Sequence, residues 1–344
     1  MPTALLRCDG GPNLGIGHVM RCRALAAAFR EQGWTSAFAM TQASAKLFSS
    51  DDPIIVDHGV SGAAATRIAM IERDAGCLVI DHYGLDAEFE RQVANAGALI
   101  LAIDDLANRR HDCDLLVDTN PARTAADYAA YAAGTQLLLG ARYALLRPEF
   151  AELRRAPADI VRGAPRRLLA VLGGADPDNV SALVLGAVPQ LRTAGLEVTL
   201  IVGGANPRQV ELVGRGRALG ADVLCDPPNA VALMAGADIA ISGAGTTCLE
   251  FACLGIPAVA LILADNQRSV AKALADTGTA RVLDATRSLE SRELADIVVA
   301  LAAAQDARRR MSEAGQALID GKGAARVAAE AVRLHALRNL KQCL

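Results

Sequence analysis

Residues 3–32 read TALLRCDGGPNLGIGHVMRCRALAAAFREQ and carry the pattern that decides the fold. Thr3 to Cys8 is a mostly apolar run of strand length, a glycine-rich loop follows, and Gly17 to Gln32 has the spacing of a helix. A buried strand that runs through a glycine-rich loop into a helix is typical of the start of a parallel α/β sheet. The stretch therefore predicts a Rossmann-like domain.

The same alternation of apolar strands and helices continues along the chain and then restarts. Further strands of the first half are predicted near Thr35 to Met40, Ile54 to Val56, Cys77 to Ile80, Ala98 to Ile103, Leu115 to Val117 and Gln136 to Leu139, with helices at Gly62 to Asp74 and Ala87 to Ala96. Those of the second half are Arg167 to Leu172, Glu197 to Val202, Asp222 to Leu224, Ile239 to Ile241 and Ala258 to Ile262. Strands apolar on both faces and separated by helices indicate a parallel sheet that is covered on both sides.

Two Rossmann-like α/β domains are therefore predicted, residues 1–150 and 151–320, facing each other across a cleft. Pro148 to Arg162 is predicted as a helical linker between them, and the chain is nearly all helix from Leu289. The last helix, about Ala324 to Leu340 within residues 321–344, is long enough to reach back to the first domain. Because ligands bind beyond the carboxyl ends of parallel strands, the loops that follow strands hold the candidate site residues.

The composition argues against several classes of protein. The 344 residues carry a net charge of −3 and 3% aromatic residues, which gives no basic or base-stacking surface for nucleic acid. The longest apolar runs are far shorter than the roughly 20 residues of a membrane span, so no membrane insertion is expected. The eight cysteines form no CxxC pair and the N-terminus has no signal-peptide pattern, which favours a cytoplasmic protein. Nothing indicates an obligate protein partner.

His18 is the candidate base of the first half. It follows Gly15 and Gly17 of the first loop and lies in the first turn of the predicted helix. The positive end of a helix disfavours imidazolium, so a histidine there would stay neutral and could accept a proton. A histidine that merely caps the helix is the structural alternative, and the spacing alone does not separate the two interpretations.

A second small-residue loop joins a strand to a helix in the second half. Its Gly243, Gly245, Thr246 and Thr247 would present backbone N–H groups to a diphosphate, and Glu250 one turn later could accept ribose hydroxyls. The Thr247-to-Glu250 spacing also fits a capping box, in which Glu250 has only a structural role.

Other polar residues and glycines follow strands at the expected edge. In the second half they are Gly173, Gly174, Asn266 and Gln267, and in the first half Tyr83 after Asp81-His82. Asp81, Asp104 and Asp105 are conceivable Mg²⁺ ligands, but no HExxH and no zinc spacing is present, so neither a metal nor any other cofactor is predicted.

Several ordered stretches resemble one family, the PseG hydrolases of pseudaminic acid biosynthesis. They are Arg7 to Asp9, Gly15 to Ala26, Ile103 to Ala107, Asp112 to Asn120, Leu139 to Phe150, and Gly243 to Pro257 followed by Asn266-Gln267. The second half also resembles MurG-type glycosyltransferases, and the fold implied by both is GT-B. The loop at Gly10 to Asn13 departs from the family, which often has small hydroxyl residues or alanine there. This departure concerns the sugar pocket, and so the identity of the sugar more than the reaction.

The resemblance implies a reaction and a set of site residues. The reaction is metal-independent, inverting release of UDP from UDP-2,4-diacetamido-2,4,6-trideoxy-β-L-altropyranose, a small-molecule UDP-sugar. The implied catalytic residues are His18 as the base for water, Tyr83 and Asn266, with Glu250 on the ribose. The full predicted substrate-binding set is Asp9, Gly15, Gly17, Arg21, Gly173, Gly174, Gly243, Gly245, Thr246, Thr247, Glu250 and Gln267.

Three alternatives remain at this point. An inverting GT-B glycosyltransferase would use the same UDP-sugar donor, with a sugar hydroxyl in place of water. A hydrolase of this type could also act on a related nucleotide sugar. A catalytically silent binding subunit is disfavoured, because binding alone would not need the base His18.

Overall fold

The computed structural model describes residues 1–11, 17–46, 53–57, 62–94 and 97–342. Contacts divide the chain into two compact units, residues 1–147 with 321–344 and residues 148–320. Each unit contains one parallel sheet with helices on its faces. No helix of the described residues combines the length and apolar character that a membrane span requires.

The first unit is built on a seven-stranded sheet of order β3-β2-β1-β4-β5-β6-β7. Its elements are β1 (Thr3–Cys8), α1 (Gly17–Glu31), β2 (Thr35–Thr41), α2 (Gln42–Lys46), β3 (Ile54–Asp57), α3 (Ala63–Glu72), β4 (Ala75–Asp81), α4 (Ala87–Val93), β5 (Leu99–Ile103), β6 (Leu115–Asp118), α5 (Ala125–Tyr128) and β7 (Gln136–Leu139). The central strands β1, β4 and β5 are almost wholly buried and apolar, because helices cover both of their faces.

The second unit is built on a six-stranded sheet of order β10-β9-β8-β11-β12-β13. Its elements are α6 (Pro148–Glu152), α7 (Pro157–Ile160), β8 (Arg167–Val171), α8 (Val180–Thr193), β9 (Glu197–Val202), α9 (Gln209–Leu219), β10 (Asp222–Cys225), α10 (Ala230–Gly236), β11 (Ile239–Gly243), α11 (Thr246–Leu254), β12 (Ala258–Ile262), α12 (Arg268–Asp276), β13 (Ala280–Asp284), α13 (Ser291–Ala303) and α14 (Gln305–Leu318).

The final helix α15 (Gly323–Gln342) packs on the first unit. Its Val327, Ala328 and Ala331 are fully buried in the same apolar cluster as Leu25 and Phe29 of α1. The helix therefore covers one face of the first sheet. It belongs to the first unit although it comes after the second unit in the sequence.

Two details differ from the sequence prediction. The segment Pro148 to Arg162 is two short helices rather than one, because Ala156 precedes Pro157 and is held in an extended conformation. The strand β13 was not predicted. It lies at the edge of its sheet, contains Arg281 and is only partly buried, so it lacks the apolar run that identifies the inner strands.

Candidate active site

The first sheet reverses its strand order between β1 and β4. The chain runs from β1 outward to β2 and β3, then returns to place β4 on the other side of β1. Cys8 and Asp81, the last residues of these two strands, are partners in the parallel register. Ligands of doubly wound sheets bind at such a switch point, beyond the carboxyl ends of the strands. The residues after β1 and β4 are therefore the candidates for the active site of the first unit.

His18 and Asp81 meet at this switch point. His18 is the second residue of α1 and is 6% exposed, and Asp81 is fully buried at the end of β4. The His18 Nδ1 atom lies 2.6 Å from Asp81 Oδ1. A carboxylate can only accept, so Nδ1 donates and the lone pair of the neutral ring is on Nε2. This arrangement leaves Nε2 as the atom that can take a proton.

Arg21 holds the carboxylate of Asp81 from the other side. Its Nε and Nη2 atoms each donate to one Asp81 oxygen at 2.6 Å, and its Nη1 donates to Asp105 at 2.8 Å. Burial alone would raise the pKa of Asp81, but the charge of Arg21 and the contact with His18 hold that pKa well below its ordinary value. Asp81 is therefore an anion at neutral pH. The Nε, Nη1 and Nη2 atoms of Arg21 each donate to a carboxylate of the protein itself.

Tyr83 completes the cluster around His18. The two rings meet edge to face, with centroids 4.6 Å apart and an interplanar angle of 82°. The Tyr83 hydroxyl donates to Asp105 at 3.2 Å. Burial and the nearby Asp105 carboxylate raise the pKa of Tyr83, so the hydroxyl stays protonated. The structure thus brings together two of the three predicted catalytic residues.

Asp9 is a buried carboxylate that accepts hydrogen bonds from neighbouring residues of the first unit. Its Oδ1 accepts from the Thr41 backbone at 2.8 Å, the Thr41 hydroxyl at 2.9 Å and Ser44 at 2.8 Å, and its Oδ2 accepts from Arg7 at 2.6 Å. Although burial raises the pKa of Asp9, these donors and the Arg7 charge bring it below its usual value. Asp9 therefore fastens the loop after β1 to the end of β2, and its contact with a substrate stays a prediction.

The glycines of the same loop are only partly described. Gly17 is the first residue of α1, and a Cβ built there would meet no atom within 4 Å. Gly15 lies outside the described residues, so its predicted role in binding stays a prediction.

The carboxylates that could have bound Mg²⁺ are each paired with a guanidinium. Arg21 contacts Asp81 and Asp105, and Arg109 contacts Asp104 at 2.7 Å. In the described part of the chain, one group has the residue types of a metal site, and its members are Glu90, His111 and Cys113. There Glu90 accepts from His111 at 2.7 Å. Burial lowers the pKa of His111, but the hydrogen bonds and charges of Asp104 and Glu90 outweigh burial and raise that pKa to about 9. His111 therefore forms an ion network with these two carboxylates.

The second sheet has its own switch point, between β8 and β11. The loop after β8 contains Gly173, whose φ is +93°, and Gly174. A Cβ on Gly203, after β9, would lie 2.4 Å from the Gly174 Cα. The loops after β8 and β9 therefore touch backbone to backbone, which only glycine permits.

The helices that start at this second switch point are capped differently. Asp176 accepts from the backbone N–H groups of Val180 at 2.7 Å and Ser181 at 2.9 Å, so the start of α8 is occupied by the protein's own carboxylate. The N-cap of α11 is Gly245, which has no side chain to cap the helix. The N–H groups at the start of α11 are therefore those suited to an external anion.

Glu250 lies in the second turn of α11 and is half-buried. The capping-box interpretation of Thr247 and Glu250 is wrong. The N-cap is Gly245, so the helix begins before Thr247 and both threonines are already inside its first turn.

Gln267 and Asn266 lie in a 3-10 turn, Asp265–Gln267, directly after β12. The Gln267 Oε1 atom accepts from the Leu263 backbone at 2.9 Å. Its Nε2 atom would be 3.9 Å from a Cβ on Gly243 and 3.7 Å from one on Gly245, so the amide lies over the loop after β11. Asn266 is exposed and belongs to the second unit, and its catalytic role near the substrate stays a prediction.

The second unit is similar in sequence to a known domain family. Residues 168–328 match the glycosyltransferase family 28 C-terminal domain. The match covers most of the second unit, including the strands and loops on both sides of its switch point.

Whole-chain similarities extend to the first unit. The chain is 24% identical to the spore coat polysaccharide biosynthesis protein SpsG of Bacillus subtilis over 326 residues, 93% of this chain and 95% of that protein. It is 26% identical over 211 residues to the UDP-2,4-diacetamido-2,4,6-trideoxy-β-L-altropyranose hydrolase of Campylobacter jejuni, 60% of this chain and 72% of that protein.

Solved structures identify the fold. MurG of Acinetobacter baumannii superposes with a TM-score of 0.68 and 15% identity, covering 96% of this chain and 99% of that one. The predicted GT-B fold class, with two Rossmann-like α/β domains, is therefore confirmed, as are the predicted resemblances to the PseG and MurG families.

Sequence reasoning missed the partners of the predicted residues. Asp81 was considered as a metal ligand, and Asp105 as a metal ligand or a partner of Arg109 or Arg110, whereas the structure makes them the acceptors that hold His18, Arg21 and Tyr83. The sequence did contain a signal for the role of Asp81, because this aspartate ends an apolar inner strand. A carboxylate buried at such a position requires a hydrogen-bond donor.

Proposed function

We propose that the chain is an enzyme that acts on a UDP-sugar and hydrolyses it at the anomeric carbon. The specific substrate proposed is UDP-2,4-diacetamido-2,4,6-trideoxy-β-L-altropyranose. The observation that carries the proposal is the pair of His18 and Asp81 at the switch point of the first sheet, 2.6 Å apart and buried. Similarity to the Campylobacter jejuni hydrolase supports the choice of substrate.

In this mechanism His18 acts as a general base. Its Nε2 takes a proton from water while the water oxygen forms a bond to C1 of the sugar. The bond between C1 and the phosphate oxygen breaks, and its electron pair leaves with UDP. Attack opposite the leaving group inverts the configuration at C1. Asp81 then stabilises the imidazolium that forms, in the role of the carboxylate in other base-and-orienter pairs.

The proposed role of the second unit is to hold the nucleotide. UDP is a good leaving group, so catalysis depends mainly on positioning the substrate and stabilising the charge of the diphosphate. The N–H groups at the start of α11, beside Thr246 and Thr247, would contact the phosphates, and Glu250 would accept the ribose hydroxyls. Asn266 and Gln267 would contact the substrate from the loop after β12.

We also propose that the reaction needs no metal ion and takes place in the cytoplasm. Each of the three aspartates that were considered as Mg²⁺ ligands already forms an ion pair with Arg21 or Arg109. All seven cysteines of the described residues are free thiols, which fits a reducing compartment. Full turnover in EDTA is expected, and a strict requirement for a divalent ion would contradict this part of the proposal.

An inverting glycosyltransferase is the second candidate. It is favoured by the MurG-like fold over almost the whole chain and by the longer match to a polysaccharide biosynthesis protein. In that case a sugar hydroxyl would replace water beside His18. The same loops would also serve a hydrolase for a related nucleotide sugar.

Turnover in ¹⁸O-water tests the proposal. The UDP-altropyranose is incubated with the enzyme, and both products are analysed by mass spectrometry. Hydrolysis at C1 places the label in the free sugar. Label in UDP would mean cleavage at phosphorus, and release that requires an added acceptor would mean a transferase. Either result would overturn the hydrolase assignment.

A further inference from the structure

His82 follows Asp81 directly and is held in one orientation and one tautomer. The Gly84 backbone N–H donates to His82 Nδ1 at 2.9 Å, and the Leu85 N–H closes the turn on the His82 carbonyl at 3.3 Å. A nitrogen that accepts a hydrogen bond carries no hydrogen, so the hydrogen of the neutral ring is on Nε2. His18 has the opposite tautomer, because its Nδ1 faces the Asp81 carboxylate.

Gly84 is required for this arrangement. A Cβ on Gly84 would lie 3.0 Å from His82 Cε1 and 3.2 Å from Nδ1, closer than ordinary van der Waals contact. The ring therefore lies directly against the glycine backbone. An alanine at this position would push the imidazole away from its hydrogen bond.

The Nε2–H group of His82 has no hydrogen-bond acceptor among the described residues. The nearest carboxylate oxygen, Asp9 Oδ2, is 3.9 Å away and already accepts from Arg7. The His82 side chain is 24% exposed, so the ring is accessible from solvent. Burial and the positive charge of Arg7 lower the pKa of His82, which keeps the ring neutral at physiological pH.

The surroundings of Nε2 select a particular kind of ligand atom. His82 can only donate there, because Nδ1 is occupied by Gly84. Asp9 already accepts four hydrogen bonds, three on Oδ1 from Thr41 and Ser44 and one on Oδ2 from Arg7, which makes it a weaker acceptor for a ligand hydroxyl. A position with one fixed donor, beside a carboxylate that is already engaged by four donors, favours an atom that only accepts, such as a carbonyl oxygen, over a hydroxyl group.

We propose that His82 is a specificity-determining residue whose Nε2–H donates to the carbonyl oxygen of an acylamino group on the sugar. The assignment rests on the proposed function, since it requires a nucleotide sugar whose glycosyl group reaches the first unit. It gives the two histidines at the switch point separate roles, His18 as a proton acceptor and His82 as a fixed donor.

Binding of nucleotide sugars to a full-length His18→Ala variant tests the proposal, because this background stops the expected turnover. The probes are the UDP-2,4-diacetamido sugar and its two analogues in which one acetamido group is replaced by hydroxyl, measured by calorimetry. We expect the diacetamido sugar to bind about 3- to 10-fold more tightly than one of the analogues, the value of one hydrogen bond. Adding His82→Phe should remove that ratio and leave the affinity for UDP unchanged.

Two further variants separate recognition from folding. His82→Gln retains an N–H donor near the Nε2 position and should keep part of the preference, and His82→Ala serves if the phenylalanine variant does not fold. An unchanged ratio in His82→Phe or His82→Ala, no preference with His82 intact, or no binding of the probes would each overturn the proposal. A failure of the proposed hydrolysis shows instead in the ¹⁸O experiment, while this binding ratio can still be measured.

Discussion

The two sheets of the molecule have the same topology around their switch points and opposite chemistry there. In the first sheet the loops after β1 and β4 bring together the buried side chains His18, Arg21 and Asp81. In the second sheet the corresponding loops, after β8 and β11, contain glycines, and α11 begins at Gly245, which has no side chain to cap it. The first site can move a proton, and the second can bind an anion through its backbone. One fold therefore supplies either function, depending on the residues after its strands.

The largest effect is expected for His18→Ala. If His18 is the base, its loss should lower kcat by about 10²- to 10⁴-fold, the usual contribution of general acid–base catalysis. The rate is measured as UDP release under saturating substrate. Activity equal to that of the wild type would remove the catalytic role from the first switch point.

Asp81→Asn should be nearly as damaging and should also affect folding. The amide can no longer fix the His18 tautomer, and we expect kcat to fall by about 10²-fold. Loss of the buried partner of Arg21 should destabilise the first unit by about 3 kcal/mol in urea unfolding. The matched control is Asp276→Asn, whose pair with Lys272 is exposed and should contribute less than about 1 kcal/mol.

The pH dependence of unfolding gives a second reading of Asp81. Its pKa is lower in the folded than in the unfolded chain, so it stabilises the fold above about pH 4 and this contribution is lost as the pH falls further. The difference in unfolding free energy between wild type and Asp81→Asn should therefore shrink below pH 4. A difference that stays constant down to pH 2 would mean that Arg21 and His18 do not lower the pKa of this carboxylate in the folded chain.

Glu250→Gln tests the second switch point. If Glu250 accepts the ribose hydroxyls, the variant should bind UDP about 10-fold more weakly, as expected when a charged hydrogen-bond acceptor is lost. The affinity for UDP is measured by calorimetry, and deoxy-UDP analogues should show a smaller loss. Unchanged UDP affinity would exclude the ribose contact.

Gly203→Ala examines the backbone contact that shapes the second site. The added methyl group would lie 2.4 Å from the Gly174 Cα, so we expect a loss of about 1 to 3 kcal/mol in unfolding free energy. Gly214→Ala is the control on exposed helix α9, where a Cβ meets nothing within 4 Å, and it should stabilise by about 0.5 to 1 kcal/mol. Equal effects of the two changes would contradict the close approach of the loops.

Much of this comparison could be predicted from the sequence, and the rest depends on long-range register. The inner strands and the positions of His18 and Tyr83 after them follow from apolar runs and glycine-rich loops. The role of Asp81 depends on the parallel pairing of Cys8 with Asp81, which no local pattern encodes. The same holds for the hydrogen bonds of Asp9, because Thr41 and Ser44 come beside it only in the folded unit. The edge strand β13 was missed because its burial comes from one neighbour alone.

The affinity of the His18→Ala variant for UDP alone tests the division of labour most directly. If the second unit holds the nucleotide and His18 acts only on the glycosyl carbon, calorimetry should give a Kd within about two-fold of the wild-type value, although turnover is lost. A Kd weakened by about ten-fold or more would mean that His18 contributes to nucleotide binding, and the separate roles assigned to the two switch points would be wrong.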